Sequence, residues 1–122
     1  MLNAVYNTKQ KGAFVYIIFS EDDSYTAVCL NLNIVEYGTN PKELQQSIEE
    51  ASFSYLQGVR KKSLSDEYLN QAPEKKYLEK LKEIEYTTEL TKKAKERKVG
   101  SIPKFFELRN LPYHQGQSLM SV

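Results

Sequence analysis

The chain lacks the raw material of several protein classes. Its 122 residues include one cysteine, one histidine and no tryptophan. The lone Cys29 excludes an internal disulfide, and the lone His114 excludes a His-centred acid–base pair or a two-His metal site within one chain. Glycine is scarce, and Gly38, Gly58 and Gly100 stand isolated rather than in a phosphate-cradling loop. No apolar run approaches the roughly 20 residues of a membrane span. The opening MLNAVYNTKQK has no long apolar core of the signal-peptide kind. These absences lead to the expectation of a cytoplasmic, reduced protein without metal or cofactor, and of a class other than enzyme.

Net charge is also small, +1 at neutral pH, but it is unevenly spread. Up to Val59 there are three basic and seven acidic residues, a balance of −4; from Arg60 onward fourteen basic face nine acidic, a balance of +5. The basic half could attract an anionic partner, although acids are interleaved through it in the manner of a solvated helical surface.

Residues 13–20 (AFVYIIFS) and 25–30 (YTAVCL) are rich in aromatic and β-branched types and flank the polar link EDDS, which predicts a hairpin. Residues 32–37 (LNIVEY) suggest a short third strand, and residues 2–6 either add an edge strand or fray. In the first strand Phe14, Tyr16 and Ile18 alternate with Val15, Ile17 and Phe19, so both faces of the sheet are apolar. One helix covers one face; the other needs the C-terminal segment or another chain, hence the expectation of a homo-oligomer.

Gly38-Thr39-Asn40-Pro41-Lys42-Glu43 specifies a strand-to-helix junction. Asn40 suits the N-cap, Pro41 the first helical position, Glu43 can reach back to complete a capping box, and Gly38 permits a tight turn out of the strand. The helix to about residue 62 then places Leu44, Ile48, Ala51, Tyr55 and Val59 on one stripe. Phe53 falls opposite, where it meets the C-terminal region, a partner or solvent. Ser65 can cap a short helix, and Pro73 can open a longer one with Tyr77, Leu78, Leu81 and Ile84 on one side. Residues 84–91 carry both strand-like alternation and a helix face, with helix favoured. Residues 102–108 read as a short extended segment and 110–122 as a mobile tail. The expected architecture is thus α+β: a three- to four-stranded antiparallel sheet with a helix on one face (1–62), a mainly helical extension (63–109) and the tail.

The order of elements and the residues YIIFSEDDSYTAVCLNLNIVEYGTNPKELQQSIEEASFSYLQ resemble the core of the HicB-like antitoxin family. The likeness rests on the acidic turn Glu21, Asp22 and Asp23, on Tyr25 and Ala27, on Gly38, on Asn40 at the cap, and on Glu43, Glu50, Ala51, Tyr55 and Leu56. It covers residues 14–57. The chain departs from the family between the second and third strands, where Asn31-Leu32-Asn33-Ile34 replaces a segment with proline and glycine, and at Phe53, where a polar residue is usual. Neither a helix-turn-helix nor a ribbon-helix-helix pattern follows Lys62, so operator binding does not carry over. The resemblance implies the α/β core, a tendency to dimerise, and binding of a toxin protein, in that family a small RNA-cleaving protein whose active surface the antitoxin covers.

Candidate contacts follow from this. Tyr16, Tyr25 and Phe53 are taken as sheet and helix surface groups for a protein partner, with Glu21, Asp22 and Asp23 meeting a basic face. Lys92, Lys93, Lys95, Arg97 and Lys98, together with Lys104 and Arg109 near Phe105 and Phe106, are the candidate nucleic-acid contacts, although Phe105 and Phe106 more simply cover the core. Cys29 reads as a small apolar core residue. A solitary oligomeric domain and a nucleic-acid-binding regulator are the competing readings.

Overall fold

The structure, a computed structural model, describes residues 6–97 and 106–114, with side chains for 6–86 and 108–114. The fold is α+β. Strands β1 (Lys11–Glu21), β2 (Ser24–Cys29) and β3 (Ile34–Gly38) form a meander, followed by helix α1 (Pro41–Lys61), a 3₁₀ turn (Asp66–Leu69), helix α2 (Lys75–Arg97) and strand β4 (Phe106–His114). All pairings are antiparallel, in the order β3-β2-β1-β4.

The fourth strand therefore comes from the far end of the chain. Of residues 2–6 only Tyr6 is described, and it lies outside any strand. Residues 110–114, expected in a mobile tail, are instead the second half of β4, while 115–122 and Gly100 lie outside the described residues. Pro112, opposite Ala13, removes a backbone donor; β4 tolerates this because it is an edge strand.

Helix α1 begins where its local chemistry dictates. Asn40 Oδ1 accepts from the Lys42 and Glu43 amides at 3.0 and 3.1 Å, and Pro41 occupies the first turn. Glu43 forms no bond back to Asn40, so it contributes only its charge to the first turn. Gly38 has an ordinary φ, and a Cβ there would meet Leu44 Cδ1 at 3.5 Å, an unstrained contact. The helix ends in a Schellman arrangement: Leu64 N–H donates to Val59 O and Ser63 N–H to Arg60 O, with Ser63 in the left-handed region at φ 52°.

The buried face of α1 consists of Leu44, Ile48, Ser52, Phe53, Leu56 and Val59. It is rotated relative to the expected stripe, and Ala51 and Tyr55 sit half-buried at its margin. Two residues cause the rotation. Ser52 enters the core because its hydroxyl is satisfied by Ile48 O at 2.8 Å. Phe53, expected on the outer side, is buried edge-on against Phe14, with ring centroids 6.3 Å apart. Phe14 in turn stacks on Tyr113 at 4.8 Å, tying β1, β4 and α1 into one cluster with Tyr16, Ile18, Ala27 and Cys29. Full burial of each such large apolar side chain contributes about 1.5–3 kcal/mol.

The opposite face is covered within the chain. Tyr77 and Ile84 of α2 are buried against Ile17, Phe19, Val28 and Leu30, with Leu81, Val15, Val35 and Leu108 at the edges. Lys80 lays its ammonium over the Phe19 ring at 4.9 Å. Residues 84–91 are helical, as favoured. Leu78, expected on the packed side, is 40% exposed. Of the two covers expected for this face, the C-terminal segment supplies it, so the face no longer calls for a second copy.

The crossing from one face to the other is pinned at the β2–β3 loop. Asn31 O accepts from the Gln71 amide at 2.9 Å, Asn33 Nδ2 donates to Ala72 O at 2.8 Å, and Gln71 Nε2 donates to Tyr55 at 2.7 Å. A second polar anchor holds the lead-in to β1. Asn7, fully buried, donates to Leu69 O and to Asn70 Oδ1 and accepts from the Ala13 amide. Lys9 pairs with Asp66 at 2.8 Å, and Arg60 Nε donates to Lys9 O at 2.8 Å.

Candidate functional site

Two of the expected partner contacts are interior. Tyr16 is 1% exposed and Phe53 is 3% exposed, so neither forms a docking surface. Tyr16 alternates onto the face that α1 covers, which a strand with two apolar faces leaves ambiguous; Phe53 turns inward because Ser52, bonded to Ile48 O, takes a core position beside it. Tyr25 is half-buried against the same cluster and presents only part of its ring.

Around Tyr16 lies a polar cluster between sheet and helix: Cys29 on β2, Ser52 and Glu49 on α1, and Arg109 on β4 directly opposite Tyr16 in the ladder. Arg109 Nε stands 3.3 Å from Glu49 Oε2. The Tyr16 hydroxyl has no hydrogen-bond partner; Ser52 is near enough to act on it electrostatically but lacks hydrogen-bonding geometry and is committed to Ile48 O. Burial, and then the neighbouring Cys29, push the Tyr16 hydroxyl well above its usual pKa. Burial likewise raises the Cys29 thiol to about 11. At neutral pH both groups hold their protons, so Cys29 is a thiol without thiolate reactivity and serves as core.

The acidic residues behave differently. Glu21, Asp22 and Asp23 are all exposed; Asp22 and Asp23 form the two-residue turn of the β1–β2 hairpin, closed by the Glu21–Ser24 pair. Asp22 adopts φ 56°, a conformation Asp tolerates better than most residues, and Ser24 Oγ donates to Glu21 O at 3.4 Å. Three carboxylates are therefore carried on a defined turn at the end of the longest strand. On the neighbouring edge, Tyr37 of β3 is 68% exposed, opposite Thr26 and close to Tyr77 and Lys76 at the start of α2. Tyr37 was not singled out, though its place at a strand end before a glycine was a usable signal.

Of the candidate nucleic-acid contacts, Lys92, Lys93, Lys95 and Arg97 lie on the last turns of α2, where side chains are outside the described residues; Lys98, Lys104 and Phe105 lie outside them entirely. Phe106 begins β4, opposite Phe19. Arg109 faces Glu49 rather than joining the lysines. His114 ends β4, its carbonyl accepting from Arg60. Among the described residues no three His, Cys, Asp or Glu side chains converge as a metal site would require, and no helix is long and apolar enough to cross a membrane.

Comparison with protein-family models, with curated proteins and with solved structures finds no match to this chain.

Proposed function

We propose that this chain is a non-catalytic, HicB-like binding protein of the antitoxin or regulatory kind, which engages a basic protein partner through the acidic hairpin end. The observation that carries the reading is the exposed turn Glu21-Asp22-Asp23, whose backbone is held by the closing strand pair, so its carboxylates are presented with little backbone ordering left to do on binding. The exposed ring of Tyr37 supplies an aromatic anchor on the adjacent edge, the residue type that dominates interface energetics. A small RNA-cleaving toxin, basic because it handles a polyanion, has the complementary charge. The finer expectation of a mainly helical C-terminal extension over residues 63–109 belongs to the same reading, as a scaffold around that surface.

The test is co-expression with the product of the neighbouring reading frame, followed by affinity measurement. Neutralising the turn with E21Q, D22N and D23N keeps its shape, because Asn also accepts a positive φ. Binding should weaken at least about tenfold, chiefly through a slower, less salt-sensitive association. A chain that protects against no neighbouring toxin and co-purifies with no small basic protein rejects the proposal.

A further inference from the structure

The end of the molecule opposite the acidic turn is basic, and its positive charge is largely uncompensated. Strand β1 runs from Lys11 to Glu21 and α1 runs back from Pro41 to Lys61, so the helix terminus and the strand start meet there. Lys9, Gln10, Arg60 and Ser63 line a cavity of about 250 Å³. Lys11, exposed, stands opposite His114, whose carbonyl accepts from Arg60 Nη2, which puts the Lys11 backbone at the same end. Lys61 ends α1 and Lys62 is its C-cap, both exposed. Against these five cations the end carries, among the described residues, two carboxylates, Asp66, which is taken up by Lys9 at 2.8 Å, and the exposed Glu67. Among the described residues no carboxylate pairs with Lys11, Arg60, Lys61 or Lys62.

A helix C-terminus ordinarily repels anions through its free carbonyls. Here three of the last four carbonyls are occupied, Gly58 O by the Lys62 amide, Val59 O by Leu64 and Arg60 O by Ser63, and beyond the helix Leu64 O accepts from Lys9 Nζ. What remains is a cluster of cations with donors to spare, since only Nε and, at 3.5 Å, Nη2 of Arg60 are engaged. Two exposed rings, Tyr6 at 64% and Tyr68 at 48%, belong to segments tied together at this end by the Asn7–Leu69 and Asn7–Asn70 bonds.

Uncompensated cations beside exposed aromatic rings have the chemistry that holds a single-stranded nucleic acid, with phosphates on the cations and bases on the rings. We infer that the Lys9–Arg60 end binds single-stranded RNA or DNA, with Arg60, Lys11, Lys61 and Lys62 taking phosphates and Tyr68 stacking a base. This places nucleic-acid contact away from the lysines of α2 and on the opposite end from the proposed protein surface.

Fluorescence anisotropy of a labelled single-stranded oligonucleotide, titrated with the full chain across a salt series, tests this. Wild type should bind at low salt with a log–log salt slope of about −2 to −3, the value for three or four phosphates on a single strand. K11Q/K61Q/K62Q alters only exposed side chains; it should lose at least about tenfold in affinity and flatten the slope, while K92Q/K93Q/K95Q retains both. Y68A should lose at least about fivefold and Y68F should keep wild-type binding, since stacking needs the ring and not the hydroxyl. Three results would overturn the inference: no binding at low salt, loss in the α2 variant with none in K11Q/K61Q/K62Q, or equal affinity for polyglutamate, which would point to an acidic protein instead.

Discussion

Substituting Gly12 by alanine tests the placement of β4 and of the chain before β1 in one measurement. Gly12 has no left-handed φ, so alanine adds no backbone strain; in open space it would stabilise by about 0.4–1 kcal/mol by narrowing the unfolded ensemble. The space is not open. A Cβ would stand 2.3 Å from Asn7 Oδ1 and 2.6 Å from the Tyr113 hydroxyl oxygen. Both atoms are committed, Asn7 Oδ1 accepting from Ala13 N–H at 2.8 Å and Tyr113 donating to Thr8 O at 2.8 Å. Relief requires the buried Asn7 amide to leave its partners, at about 1–3 kcal/mol for an orphaned buried group, with about 1 kcal/mol or more of overpacking. The net expectation is a loss of about 2–3 kcal/mol, a large part of a typical stability of about 5–15 kcal/mol. Urea denaturation followed by far-UV circular dichroism reads it directly, with the slope unchanged. G12A combined with Tyr113→Phe, which removes one of the two crowding atoms, should lose less than the two single variants summed. A G12A protein as stable as wild type, or more so, would refute the packing of Asn7 and Tyr113 around this glycine.

Three further outcomes follow from the same structure. Ser63 holds the left-handed position of the Schellman motif, where glycine carries no penalty, so S63G should raise stability by about 0.5–1 kcal/mol in the same denaturation assay. Removing the unpartnered Tyr16 hydroxyl by Y16F should be neutral or stabilising, whereas F53A, which empties a core site, should cost about 3–5 kcal/mol; a costly Y16F would mean the hydroxyl has a partner after all. Cys29, raised from 9.0 to about 11, keeps its proton in the folded chain while the unfolded chain loses it, so its contribution is present below pH 9 and is lost between pH 9 and about 11. Tyr113, raised from 10.0 to about 12 chiefly by burial, continues the decline. Midpoints measured across that range should fall, and C29A should flatten the first part of the fall.

What was legible in the sequence was local. The Asn40-Pro41 start of α1 depends on residues within one turn of each other, and the structure places the cap there. The hairpin, the third strand and the helical reading of residues 84–91 likewise depend on short-range pattern. Only the start of β4 was legible, residues 106–108 within the extended segment read at 102–108; Asn110 and Pro112 punctuate the rest, and pairing with distant β1 makes it a strand. The inward placement of Tyr16 and Phe53 was hidden for a related reason: side-chain period alone does not say which apolar face a helix will choose, nor that a serine bonded to its own helix can sit in a core. Gly12 was equally silent, since its crowding comes from Asn7 and Tyr113, residues that the fold alone brings together.

The asparagines between β2 and β3 have a structural counterpart in the second helix. Asn31 uses its side-chain oxygen to accept from Val15 N–H at 2.7 Å, which leaves its backbone carbonyl for Gln71, and Asn33 spans to Ala72 with its side-chain nitrogen. Asn33 also takes φ 56°, which asparagine accepts readily. These three bonds fix the segment that leads from the α1 face round the end of the sheet to α2. Helix α2 then buries Ile17, Phe19, Val28 and Leu30, the face that would otherwise be open to a second chain. The asparagines and the intramolecular cover are thus parts of one arrangement, in which a polar clamp at the sheet's end replaces the need for a partner on its second face.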